Sequence, residues 1–263
     1  MMTRYPAALR RSVVLTALVG VAAWASPAQA QSQNLAQNDD RIVLGAGVSA
    51  TPAYQGSKDT RIIPLPAIDI KQGWFFANLR NGIGVAPIST DNVDIGASVV
   101  FVQGYRQKDV PTGIDRLKDG VGVRLFTNIR AGGFVATLGA VKTVSGGTKG
   151  LVADASLSYP IKVSSSFTLT PTVGTTWANG KYNNRYFGVT SAESAASGLA
   201  QFTTGSGFKD VSGTLTASYR LSERITLSAT GGVTSLVGKV KNSPLVEKKT
   251  QPLGLFTLTY RLR

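Results

Sequence analysis

The chain has 263 residues, 28 Lys and Arg against 14 Asp and Glu, 29 Gly, and neither Cys nor His. Without Cys there is no disulfide, thiol nucleophile, cysteine-ligated zinc or acylated cysteine anchor. Without His a serine–histidine triad is impossible, and the usual neutral-pH base and commonest metal ligand are missing. Glycine at about one residue in nine, against roughly 7% in an average protein, suits a turn-rich all-β chain.

The N-terminus reads as an export signal. Arg4, Arg10 and Arg11 precede an apolar stretch from Ser12 to Ala25, which is short for a membrane-spanning helix. Ala28 and Ala30 then form the small-x-small pattern of a cleavage site. Cleavage after Ala30 removes three arginines and lowers the net charge from +14 to +11. Residues 31–40 are polar and unpatterned, a flexible periplasmic lead-in. No later segment has the apolar run of a transmembrane helix, so the exported product is periplasmic or an outer-membrane barrel, expected over residues 41–263.

From Arg41 onward, side chains alternate with the period of two that marks β-strands. In 121–130, Val121, Val123, Leu125 and Ile129 oppose Gly122, Arg124, Asn128 and Arg130. In 167–177, Phe167, Leu169, Val173 and Trp177 oppose threonines and a glycine. Segments 209–221 and 225–234 repeat the pattern, with Arg220 on the polar face of the first. These rows match the roughly 9–11 residues of a tilted transmembrane strand and exceed the about 5–6 of soluble strands. Trp74, Phe75, Phe76, Tyr105, Tyr159, Trp177, Tyr219 and Tyr260 lie near expected strand ends, as girdles at the two membrane interfaces would. A soluble sandwich also alternates, but strand length, the Thr, Ser and Gly-rich polar face and the export signal favour the barrel.

Connections set the strand number. Short turns fall near 71–73, 89–92, 131–133, 162–165 and 221–224, and longer polar ones at 51–59, 106–119, 144–149, 179–208 and 236–249. Outer-membrane barrels keep short turns in the periplasm and long loops outside. The two sets alternate only if residues 74–88 fold back once, and Asn81-Gly82 supplies the tight turn. The expectation is a transmembrane antiparallel up-and-down β-barrel of twelve strands, with ten as second choice.

Residues able to carry catalysis are few. Asp39/Asp40, Asp91/Asp94 and Asp115/Asp119 are close carboxylate pairs without the oxygen density of a calcium loop, and read as solvated loop charge. The glycines at 45–47 and 146–150 lack the strand–loop–helix setting of a phosphate loop. No enzyme activity, metal or cofactor is expected. Export argues against nucleic acid as the partner of the excess positive charge; basic loops suit lipid phosphates and lipopolysaccharide of the outer leaflet. Inward Arg124, Arg130 and Arg220 either select anions or, as favoured, bridge lumen carboxylates. The 179–208 loop carries Tyr182, Tyr186 and Phe187, then Thr190 and Glu193 at capping-box spacing before a short helix over Ala192–Ala196. Such a loop plugs the mouth or contacts a partner or ligand.

Tyr186-Phe187-Gly188-Val189-Thr190, followed by Glu193, Ala196 and Ser197-Gly198-Leu199, resembles the hallmark loop of the MipA/OmpV family of outer-membrane proteins. Pro52-Ala53-Tyr54-Gln55-Gly56-Ser57 after the first strand, Asn242-Ser243-Pro244-Leu245-Val246 before the last, and the terminal Thr259-Tyr260-Arg261-Leu262 resemble the same family. Leu262 stands where a terminal Phe is usual, and Arg263 extends past it. The resemblance spans essentially the whole mature chain. It implies an outer-membrane barrel and, by its best-known role, a scaffold joining a lytic transglycosylase to a penicillin-binding peptidoglycan synthase. Other members are linked to adhesion, osmotic response or antibiotic susceptibility. Two other roles stay open: a narrow channel or small-solute binder, and a surface adhesin or receptor acting through 179–208.

Overall fold

The alternating segments close into an antiparallel barrel in a computed structural model, which describes residues 40–263. The expected signal peptide, with Ala28 and Ala30, and nearly all of the lead-in lie outside the described residues. In chain order the strands are β1 (Arg41–Pro52), β2 (Thr60–Gln72), β3 (Phe75–Asn78), β4 (Gly82–Ser89), β5 (Val93–Val102), β6 (Gly120–Ala131) and β7 (Phe134–Ser145). They continue with β8 (Leu151–Ser158), β9 (Ile161–Lys162), β10 (Phe167–Ala178), β11 (Gly207–Arg220), β12 (Ile225–Leu236) and β13 (Thr250–Arg261). The segments β8 and β9 both pair with β10 and form one strand interrupted at Tyr159–Pro160, so the wall has twelve strands. Pairing of β1 with β13, from Val43↔Arg261 to Ala50↔Gly254, closes it.

Six prolines lie within strands, where a missing N–H removes a ladder bond unless one side is free. Each sits where a neighbour is lacking or the ladder is irregular. Pro52 and Pro252 lie beyond the β1–β13 pairing, and Pro171 faces the break between β8 and β9. Pro87 falls in the irregularity of the β4–β5 register. Pro64 and Pro66 occupy the part of β2 that pairs with β1 alone.

Residues 74–88 fold back through Leu79–Asn81, with Gly82 at φ +74° opening β4. An added Cβ on Gly82 would lie 2.1 Å from the Val99 carbonyl oxygen, so both conformation and space call for glycine there. The Asn81 amide donates to the Asn78 side chain at 2.8 Å, tightening the turn. With only four residues in β3, this hairpin ends partway up the wall.

The outer face is a belt of exposed Leu, Val and Ile, from Ile62 at 75% to Leu125 at 62% and Val173 at 60%. Exposed apolar surface of that extent suits hydrocarbon, and no helix among the described residues is long and apolar enough to cross a membrane. The aromatic residues form girdles of unequal weight: at the loop end, half-buried Trp177 and exposed Phe208 pair across the ladder. Trp74, Phe134, Tyr159, Phe167, Tyr219 and Tyr260 are exposed or half-buried toward the short-turn end, where Phe134 packs on Tyr159 and Phe167 on Tyr219. Phe76 points inward, edge-on to Phe126, and Tyr105 is buried in the loops at the other end. Alternation alone does not say how far a ring lies from a strand end.

The lumen lining varies around the ring, and on β2–β7 apolar side chains alternate with buried Asp69, Ser98, Arg124, Thr137 and Thr143. Along β10–β13 it is lined by hydroxyls that pair across the ladder, as in Thr216–Thr230 at 2.8 Å and Ser218–Ser228 at 3.0 Å. Between β2 and β7 the buried inner side chains include Leu65, Ala67, Val100, Val102 and Val141.

Candidate functional site

The long loops gather over one end of the barrel and bury a shared apolar core there. Its centre is a helix, α1 (Gly180–Phe187), started by Asn179, whose side chain accepts from the Tyr182 amide at 3.0 Å. One helical turn puts Tyr182 and Tyr186 face to face, 5.6 Å between ring centroids. Tyr105 meets Tyr186 edge-on at 5.4 Å and Tyr54 packs on Tyr105. Phe187 and Val189 are almost wholly buried beside them. Gly188 ends the helix, and a Cβ there would lie 2.2 Å from the Asn184 carbonyl oxygen.

Hydrogen bonds tie the loops to one another. The Gln55 amide donates to the Tyr186 hydroxyl at 3.1 Å, Tyr54 donates to the Leu245 carbonyl at 2.9 Å, and Ser243 donates to the Phe187 carbonyl at 2.6 Å. Burial pushes the phenols of Tyr54, Tyr105 and Tyr182 above their ordinary value, and Tyr186 up to about 12. A second helix, α2 (Ser191–Ser197), begins with the capping box of Thr190 and Glu193. Burial alone would raise the Glu193 carboxyl. Hydrogen bonds from the Thr190 amide and hydroxyl and from the Asp115 amide outweigh it and hold the group low.

Two charged layers lie below this lid. Lys209 and Asp210 both point inward because the β10–β11 register shifts at Thr176/Trp177. They pair at 2.5 Å, share Gln55, and place the Lys209 ammonium 5.9 Å from the centre of the Tyr182 ring. Deeper, Arg124 donates to both oxygens of Asp154, at 2.5 and 2.9 Å, and to the Asn81 side chain at 3.2 Å. Gly139 leaves room for that guanidinium, since a Cβ there would lie 2.2 Å from it. Arg80, at the hairpin turn, donates to Ser156 at 3.0 Å.

The candidate residues thus separate. Tyr182, Tyr186, Phe187, Gly188 and Val189 join in the lid, with Glu193 at its outer edge. Of the three arginines, Arg124 lies in the lumen, whereas Arg130 pairs with Asp94 near the short-turn rim. Arg220 is a correction: it ends β11 exposed at that rim, donating to the Ser165 carbonyl, because its inward parity falls where the wall stops. Asp154, Arg80 and the Lys209–Asp210 pair escaped sequence reasoning. Parity marks Asp154 as inward but does not say which strand it faces. No group of three or more His, Cys, Asp or Glu among the described residues could hold a metal ion.

A family model described as MltA-interacting protein MipA matches residues 44–262. The chain belongs to this family. It is 26% identical to the MltA-interacting protein of Escherichia coli K12 over 240 residues, 88% of this chain and 94% of that protein. The 24 kDa outer membrane protein of Pasteurella multocida is 24% identical over 164 residues, 57% of this chain and 63% of that one. Among solved structures, an outer-membrane channel of Pseudomonas putida F1 is similar with a TM-score of 0.48 at 10% identity, covering 85% of this chain and 96% of that one. The MipA-family barrel described here is thus an outer-membrane protein; the rule that such barrels keep short turns in the periplasm and long loops outside would put the tyrosine-rich lid at the outer face.

Proposed function

We propose that this barrel is a non-enzymatic scaffold that holds a lytic transglycosylase, and with it a penicillin-binding peptidoglycan synthase, at the periplasmic face of the outer membrane. The observation that carries this reading is the match to most of the length of a protein named for its interaction with MltA. The site supports it by what it leaves available. An anion path through the lumen needs free guanidinium groups, whereas Arg124 is held by Asp154 and Arg130 by Asp94. A loop that binds at the cell surface would present its aromatic residues, yet Tyr182, Tyr186 and Phe187 are buried. The periplasmic rim offers exposed Lys162 and Arg224 beside short turns, Arg220 at the end of β11 and Arg263 past β13, a basic surface suited to an acidic patch on a partner.

Capture from detergent-solubilised envelopes tests the proposal. The full-length tagged barrel is expected to retain a lytic transglycosylase that an unrelated barrel does not. Replacing Lys162 and Arg224 together by Glu is expected to weaken retention and its salt dependence while leaving the folded barrel's electrophoretic mobility unchanged. Envelopes that yield no transglycosylase on the wild-type protein would refute the scaffold role.

A further inference from the structure

Positive charge gathers at the loop end. Residues 51–61, 103–119, 142–150, 179–210 and 237–249 carry fifteen Lys and Arg against seven Asp and Glu, an excess of eight of the eleven positive charges expected on the mature chain. Part of this charge is neutralised locally, since Lys58 pairs with Glu247, Arg61 and Arg106 with Asp109, and Lys209 with Asp210. The sector above β6, β7 and β8 differs. Its 142–150 segment holds Lys142 and Lys149 and no acid.

Lys142 lies on the lipid-facing side of the wall. It shares the outward face of β7 with exposed Phe134, Leu138 and Val144, and is level in the register with Val123 of β6 and Leu151 of β8. A charge on that face costs most at the membrane centre and little near the interface, and a lysine stem lets the ammonium reach upward. The outward row next toward the short turns runs through Ala140, Ala153, Trp177 and Phe208, so it ends in the two aromatic residues of the loop-end girdle. Lys142 therefore stands one outward position beyond a row that marks the interface, on the side of the lipid headgroups. Its ammonium donates to the Lys149 carbonyl at 3.2 Å, which engages one of its three N–H groups.

The loops bring three more exposed lysines to this point. Lys149 follows Lys142 through the bond just described. The Gly147 amide donates to the Lys118 carbonyl at 3.0 Å, which joins Lys118 to the same turn. Gly150 lies against the backbone of α1, where a Cβ would come 2.6 Å from the Tyr182 Cα, so Lys149 and Lys181 flank one contact. Asp119 is the acid beside them, and one of its carboxylate oxygens accepts from the Gly104 amide at 2.8 Å.

We infer that Lys118, Lys142, Lys149 and Lys181 bind the phosphate groups of an outer-leaflet glycolipid whose acyl chains lie on the apolar outer face of β6 and β7. Phosphate oxygens are charge-assisted acceptors for the ammonium groups, and exposed Val121, Val123, Leu125 and Leu138 offer the surface for the chains. The inference takes the outward facing of this end from the loop-length rule and stands apart from the scaffold role, which concerns the opposite rim.

Native mass spectrometry of the full-length barrel in detergent with diphosphorylated lipid A reads the bound lipid directly. Lys142→Gln combined with Lys149→Gln is expected to weaken retention about tenfold, and lipid A stripped of its phosphates to be held about tenfold less by the wild type. Lys142→Arg with Lys149→Arg should retain the lipid. Lys239→Gln with Lys241→Gln removes the same charge from the 237–249 loop and should leave retention near that of the wild type. Inorganic phosphate at the concentration of the lipid should not displace it. The mobility of the folded barrel confirms each variant first. A loss in the Lys142 and Lys149 pair no larger than in the Lys239 and Lys241 pair would overturn the inference. Equal retention of the stripped lipid would do so by removing phosphate from the recognition, and displacement by inorganic phosphate by assigning the site to the free ion.

Discussion

Arg124 and Asp154 meet across the lumen from β6 and β8 in a two-pronged ion pair, with Asn81 as a third partner. Arg80 is close enough to Asp154 to interact with it as well. The two truncations should therefore differ. Arg124→Ala leaves Asp154 with a remaining cation, whereas Asp154→Ala leaves the enclosed Arg124 guanidinium without its carboxylate. Breaking a buried pair from one side costs about 3–5 kcal/mol, and Asp154→Ala is expected near that range with Arg124→Ala below it. Urea unfolding of the barrel, followed by the fluorescence of Trp74 and Trp177, measures both; equal losses would show that Arg80 does not share the carboxylate. The inward direction of Arg124 is legible in the alternation of 121–130. Its partner is not, because parity assigns a face and leaves open which strands oppose each other across the lumen.

The two short helices of the lid were unequally legible. Thr190 and Glu193 announce α2 by their spacing, and the capping box is present. α1 has no comparable stripe: it is polar by composition, and only Asn179 followed by tyrosines four residues apart hints at it. Its stability comes from packing Tyr182 and Tyr186 against Tyr105 and Tyr54 on other loops, which no local pattern contains. That packing predicts a dependence on pH. Burial favours the neutral phenols and raises their folded values above the ordinary 10.0, to about 12 for Tyr186. A raised value means that the unfolded lid loses its protons first. The stabilisation is fully present below about pH 10 and is lost as pH rises through the folded value. Phenolate absorbance should show a late step near pH 12, accompanied by loss of the near-ultraviolet dichroism of the tyrosine stack. Tyr186→Phe should remove part of that step, and a titration complete before pH 11 would contradict the buried stack.

Taken whole, the barrel shows why strand number was readable and closure was not. The count follows from the alternation of short turns with long loops, and Asn81-Gly82 resolves the single ambiguous segment. How high the β3–β4 hairpin climbs depends on its register against β2 and β5, and the unequal weight of the two aromatic rims depends on such heights. The lid likewise arises from loops distant in sequence that meet only once the ring is closed. Conductance follows from this arrangement. A solute entering from outside meets the tyrosine stack, then Lys209 and Asp210, then the Arg124–Asp154 pair, each charge held by its partner. The wild-type protein in a planar bilayer should therefore carry no steady current. Ala178 and Gly207 are paired in the ladder, so residues 179–206 can be replaced by a two-residue hairpin turn without moving β10 or β11. That variant loses α1 and α2 together and should open in small steps, limited by the remaining Arg124–Asp154 pair. Steady current through the wild type would place an open route beside the ion pairs. A silent lid deletion would assign the seal to Arg124 and Asp154 rather than to the tyrosines.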